Sequence, residues 1–169
     1  AESTLQVRGL NQSIQAAVGE LSRRGVDDVM IVHGDLPLIS TVEISQLLRV
    51  HRAQGSPALT LSPDDCREGS NCLLCTPASR LTYCYGSNSF ARHAAQASYH
   101  GMSLQVVALP GIGCDIDTPQ DLLALFERVD IQSASHTYRY ITANDLVGRL
   151  SEVETSHFTT ADVQYSWAS

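Results

Sequence analysis

Short apolar runs rich in β-branched residues alternate with segments of helical period along most of the chain, and no other feature restricts the fold as much. Leu10, Ile14, Ala17, Val18 and Leu21 recur at helical spacing, with Gly25 placed to end the helix. Residues 28–33 (DVMIVH) read as a short buried strand. Ser40-Thr41-Val42-Glu43 has the form of a capping box, which predicts a helix to about Gln54, stopped by Gly55. Residues 57–62 (PALTLS), a segment through Leu73 and Leu74, a short one at 83–85 and a buried one at 103–109 (SLQVVAL) are further strand candidates. Ser87 or Asn88 can cap a helix through Tyr99 closed by Gly101, and Pro119 opens another to about Arg128. Helices alternating with strands predict an α/β sandwich around a mainly parallel sheet.

In such sheets ligands bind beyond the carboxyl ends of the strands, and two aspartate clusters fall there. One is His33-Gly34-Asp35-Leu36-Pro37; the other is Gly113-Cys114-Asp115-Ile116-Asp117-Thr118-Pro119. Asp-x-Asp on an extended segment turns both carboxylates to one face. A third, from a neighbouring strand end, would complete a site for a hard cation such as magnesium. The plainer reading gives Asp117 or Thr118 to the cap of the helix at Pro119, and Asp35 to a turn.

Gly69-Ser70-Asn71 and Gly86-Ser87-Asn88-Ser89 form a second constellation, small and polar. Their amides and hydroxyls can hold a carboxylate or phosphate, or serve simply as loop and cap residues. His93, one turn into its helix, is either catalytic or packed beside the loop. Arg67 and Arg92 are phosphate partners or solvated side chains. Cys72-Leu73-Leu74-Cys75 has the spacing of half a zinc site, but without a second such pair these read as small apolar residues on a buried strand.

Composition removes several classes. A net charge of −7 with no basic cluster argues against a nucleic-acid partner. No apolar run is long enough to cross a bilayer, so no membrane partner is expected. Five cysteines without a secretory signal point to free thiols in a reducing, cytoplasmic setting. All 11 basic residues are arginines, so phosphate would be held by arginine and backbone amides. Residues 1–140 read as one domain and 141–169 as a C-terminal extension, packed on it or partly flexible, with a helix over 143–150. A homodimer is compatible with the sequence.

In order along the chain stand Gly9-Leu10-Asn11, then His33-Gly34-Asp35-Leu36-Pro37-Leu38, then Pro63-Asp64 with Gly69-Ser70-Asn71-x-Leu73. Tyr85-Gly86-x-x-Ser89-Phe90-Ala91-Arg92-His93 follows, then Gly111-x-x-x-Asp115-Ile116-Asp117-Thr118-Pro119-x-Asp121-Leu122. This series resembles the 2-phospho-L-lactate guanylyltransferase (CofC-type) family of coenzyme F(420) biosynthesis. The resemblance covers roughly Gly9 to Thr137. It implies a three-layer αβα nucleotidyltransferase fold, Rossmann-like and similar to the nucleotide-diphospho-sugar transferases, with a mainly parallel mixed sheet. It further implies transfer of GMP from GTP to the phosphate of 2-phospholactate, phosphoenolpyruvate or 3-phosphoglycerate, releasing pyrophosphate.

By position, Asp35, Asp115 and Asp117 would hold Mg2+ as the catalytic carboxylates. Ser70, Gly86 and Ser89 would hold the acceptor's carboxylate end, and Gly9, Leu10 and Asn11 would lie near the nucleotide. Family members usually carry threonine where Ser70 stands. They also open with a strand and a loop bearing proline and lysine, and this sequence begins after that segment. A chain short of it is expected to fold poorly or bind GTP weakly. The alternatives are a molybdenum-cofactor or sugar-phosphate nucleotidyltransferase of the same fold, or a non-catalytic α/β domain.

Overall fold

The computed structural model describes residues 9–128, 136–146 and 148–150. They belong to two compact units, Ala1–Asp115 and Ile116–Ser169.

The first unit is built on a four-stranded sheet of order β1-β3-β2-β4, with β1 Val29–Val32, β2 Ala58–Pro63, β3 Ser70–Thr76 and β4 Ser103–Val106. β3 pairs antiparallel with both β1 and β2, and β2 pairs parallel with β4. Three strands therefore share one direction and β3 alone opposes them. The reversal brings the amino end of β3 to the rim where the other three strands have their carboxyl ends.

Side chains alternate between two apolar layers. Leu59 and Leu61 of β2 with Leu73 and Cys75 of β3 join Val18 and Ala97, from helices α1 (Leu10–Arg23) and α3 (Ser89–Tyr99). Cys72 and Leu74 face the other way, against Leu47 of α2 (Thr41–Ala53), together with Leu36, Leu109 and Ile112. Helices thus cover both faces, and the three layers are those expected. Because Cys72 and Cys75 enter opposite layers, they cannot share a metal or a disulfide, and both are buried free thiols.

The α2 boundary is set by the capping box read from the sequence. Ser40 Oγ accepts the Glu43 N–H, and the Glu43 carboxylate accepts the Ser40 N–H. Gly25 and Gly101 follow their helices in the left-handed region, at φ 80° and 62°.

Four expectations are corrected. Residues 83–85 do not pair as a strand; side chains from two helices occupy their backbone groups instead. The last strand is shorter than 103–109, and among the described residues β4 stands at the edge of the sheet with alternately exposed residues, not as a buried strand. The helix expected at 143–150 begins later: residues 146 and 148–150 are helical after Asp145 turns the chain at φ 47°, and α5 (His136–Ala143), which was not expected, precedes it. Asn88 precedes α3 in the left-handed region at φ 55° and makes no side-chain cap bond.

In the second unit, Pro119 opens helix α4 (Pro119–Arg128) as expected. Thr118 and Asp121 cap it reciprocally: the Asp121 N–H donates to Thr118 Oγ1, while the Asp121 carboxylate accepts from the N–H groups of Asp117 and Thr118. Leu125 and Ile141 are buried within this unit. Among the described residues no helix is long and apolar enough to cross a membrane.

Candidate functional site

Tyr85 is the point on which most of the sequence-predicted segments converge. Its peptide N–H donates to Asn11 Oδ1 at 2.7 Å, and its carbonyl accepts from Asn11 Nδ2 at 3.1 Å and from Arg92 at 3.3 Å. Its ring packs against His33 at a centroid distance of 5.2 Å and edge-on against His93 at 5.0 Å. The neighbouring backbone is held the same way. Gln96 bonds both the N–H and the carbonyl of Thr82, and Gln15 accepts the Tyr83 N–H. Helices α1 and α3 thus supply, through side chains, the partners a strand neighbour would have given.

Ser70, Gly86 and Ser89 are brought together as the sequence implied. Ser70, first residue of the reversed strand, donates its N–H to Ser89 Oγ at 3.0 Å. The Ser89 N–H in turn donates to the Gly86 carbonyl at 3.0 Å. Gly86 has φ 107°, a conformation that favours glycine, and is exposed, whereas both serines are buried. The loop before Ser70 is shaped by Asp64, whose carboxylate accepts the N–H groups of Glu68 and Gly69. Arg67 lies over the Phe90 ring, 5.5 Å from its centroid.

His93 packs; it is not a free base. It is fully buried, with Nδ1 3.0 Å from Ser70 Oγ, and its Nε2 accepts the Cys84 N–H at 3.0 Å. Burial, with the Arg92 charge adding, lowers its pKa to about 4. Both ring nitrogens are committed within the fold.

Asp35 and Asp115 belong to the first unit. Their strands are not neighbours, contrary to the sequence reading: β1 and β4 lie at opposite edges with β3 and β2 between them. The chain after β4 makes up the distance by returning across the rim. The Gly111 N–H donates to Glu43 Oε1 at 2.6 Å, and Asn71 Nδ2 donates to the Ile112 carbonyl at 2.9 Å. The Asp65 N–H donates to the Gly113 carbonyl at 3.0 Å. A side chain at Gly111 would strike the Leu38 carbonyl and the Glu43 carboxylate. Leu36, next to Asp35, and Ile112, near Asp115, enter the same apolar layer.

Asp35 is exposed and Asp115 half-buried. Asp117 belongs to the second unit, where Thr118 and not Asp117 provides the capping hydroxyl. Among the described residues no three His, Cys, Asp or Glu side chains are gathered to hold a metal ion. Gly9 precedes α1 at φ 95°, Leu10 is largely exposed, and Asn11 is committed to Tyr85.

Three roles escaped the sequence. Glu43 looked like a cap alone yet also fixes the Gly111 loop. Asn71 ties β3 to that loop and, through its carbonyl, to the His33 N–H. Tyr85 organises its surroundings mostly through its backbone, which no residue type reveals. The Tyr85 hydroxyl and His33 Nε2 are buried without hydrogen-bond partners, orphaned polar atoms of the kind found at ligand sites.

The chain matches the family model described as "Guanylyl transferase CofC like" over residues 2–157. It is 35% identical over 127 residues to a phosphoenolpyruvate guanylyltransferase of Sphaerobacter thermophilus, covering 75% of this chain and 60% of that protein. A 3-phospho-D-glycerate guanylyltransferase of Colwellia psychrerythraea is 30% identical, with 68% of this chain and 53% of that one covered. A 2-phospho-L-lactate guanylyltransferase of Methanothrix thermoacetophila is 28% identical, with coverages of 76% and 57%. The chain thus spans between 53% and 60% of the length of these relatives. In fold it is similar to a solved structure from Desulfovibrio desulfuricans G20, named after the nucleotide-diphospho-sugar transferases. The TM-score is 0.65 at 15% identity, over 85% of this chain and 63% of that one. With residues 2–157 matched, the chain belongs to the CofC-like guanylyl transferase family.

Proposed function

We propose that the protein transfers GMP from GTP to the phosphate of a small phosphorylated carboxylic acid, releasing pyrophosphate, in a magnesium-dependent reaction of coenzyme F(420) biosynthesis. The observation that carries this reading is the hydrogen-bonded trio Ser70, Gly86 and Ser89 at the sheet rim, in a chain of this family. Relatives act, by their names, on phosphoenolpyruvate, 3-phosphoglycerate or 2-phospholactate, which each carry one carboxylate and one phosphate on a three-carbon frame.

The acceptor phosphate is ionised at neutral pH, so the reaction asks little of a general base, in keeping with a buried, neutral His93. The trio's role is to grip and orient the carboxylate end. Asp35 and Asp115, in the first unit, would supply oxygen donors for magnesium, which takes one or two carboxylates and completes its shell with phosphates and water rather than needing a closed protein cage; Asp117 is assigned to the same role by resemblance. When bound, the ion would offset charge on the guanylyl group in transfer and on the departing pyrophosphate. Gly9, Leu10 and Asn11 are assigned to the nucleotide side.

The test is pyrophosphate release from GTP and magnesium with each of the three acids, with Asp115→Asn as control. Release with one acid, abolished in the variant, supports the reaction and identifies the acceptor. Silence with all three, in a chain shown to be folded, removes this reading.

A further inference from the structure

The hydrogen bonds around His93 fix which of its ring nitrogens carries the proton. Because the Cys84 N–H donates to Nε2, that nitrogen is unprotonated, and a neutral imidazole then carries its single proton on Nδ1. Nδ1–H therefore donates to Ser70 Oγ, 3.0 Å away. Ser89 Oγ likewise receives the Ser70 N–H. Each serine oxygen thus accepts from the protein, while each hydroxyl hydrogen is left for something else. The two serines are 0% and 2% exposed, so water does not compete freely for those hydrogens.

Resting on the guanylyltransferase reading, we propose that His93 is a positioning residue that sets Ser70 and Ser89 as paired hydrogen-bond donors and so makes the pocket select an ionised carboxylate over a neutral acyl group. A carboxylate only accepts hydrogen bonds, and an acid reaching Ser70 and Ser89 meets two hydroxyl hydrogens that the protein's own bonds leave available. Were the His93 proton on Nε2, Ser70 would donate inward and the pocket would offer one donor less.

Two substitutions split the imidazole's functions. In His93→Asn the amide nitrogen stands near the former Nδ1 and can still donate to Ser70. In His93→Gln the amide oxygen stands near the former Nε2 and can accept from Cys84, but the donor to Ser70 is gone. The measurement is kcat/KM for 2-phospholactate relative to its carboxyl methyl ester, using the full chain with GTP and magnesium. Losing a donor to a charged group corresponds to about a tenfold to hundredfold effect. His93→Gln is expected to lose about tenfold of the acid preference through acceptor KM, with KM for GTP unchanged, and His93→Asn to keep most of it.

A role in folding alone would move both variants with their stabilities and leave the acid-to-ester ratio intact; that outcome overturns the proposal. Nitrogen-15 shifts of the His93 ring give a readout independent of turnover, and an Nε2–H tautomer overturns it as well. A wild-type chain inactive with every acid removes the guanylyltransferase reading and the selectivity with it. The ring shifts then decide the Nδ1–H relay separately.

Discussion

The side-chain amide of Asn11 and the peptide group of Tyr85 bond each other in both directions, at 3.1 and 2.7 Å across 74 positions of sequence. This double clasp ties the first described helix to the segment entering Gly86. Asn11→Ala leaves a part-buried donor and acceptor without partners. It is expected to cost about 1–3 kcal/mol, read from the denaturant midpoint. A midpoint unchanged in Asn11→Ala would show the clasp to be dispensable.

Gly111 is expected to accept no side chain. Its Cβ would meet a backbone carbonyl that cannot rotate away, so Gly111→Ala costs about 1–3 kcal/mol or more. Glu43→Gln keeps one acceptor and turns the other into a donor facing the Ser40 N–H, so α2 loses about 1 kcal/mol of capping. Thermal unfolding of the two variants should rank them in that order.

Acid is expected to weaken the fold before the carboxylates titrate. The unfolded His93 takes up a proton near 6.5, whereas burial holds the folded one to about 4. Its neutral form is thus fully stabilising above pH 6.5, and that stability is lost as pH falls toward 4, on the order of 3 kcal/mol. His51 is also lowered by burial and adds in the same direction. Denaturant midpoints between pH 7.5 and 4.5 check this. In His93→Gln the slope should flatten; an equal slope would place the titrating group elsewhere.

The cysteines should divide by reactivity. Cys66 is exposed, while burial pushes the Cys72 and Cys75 thiols up to about 12. A thiol reagent at neutral pH should label Cys66 at once and Cys72 and Cys75 only on unfolding. Added zinc should leave their labelling unchanged, since they face opposite sides of β3.

Local chemistry was the legible part of this chain. The Ser40–Glu43 box, Gly25, Gly101 and the Pro119 start are each decided within a few residues, and each stands where the sequence put it. The Ser70–Gly86–Ser89 grouping came from resemblance; the residues by themselves left an anion-holding role and an ordinary loop or cap role both open. What escaped is non-local. Tyr83–Tyr85 is extended and apolar like a strand, but its partners are Asn11, Gln15, Gln96 and His93, and no periodicity in the segment itself reveals that. The return of Gly111–Gly113 across the rim depends on Glu43 and Asn71, separated from it by long stretches of chain. His93 could be read either way because one imidazole bond goes to a serine and the other to a backbone N–H.

The reversed strand also has a consequence in time. β2 and β3 are joined only by the loop over 64–69 and pair from Ala58 with Thr76 to Pro63 with Ser70. A hairpin of this kind forms within about 1–10 μs. β1 must wait for α2 to be spanned, and β4 for α3. Pulse-labelled hydrogen exchange should therefore protect the Leu61 and Leu73 amides before those of β1 and β4. Ser70, at the sheet rim, is laid down with the earliest sheet pair, and the segment leading to Asp115 is among the last pieces of the first unit to arrive.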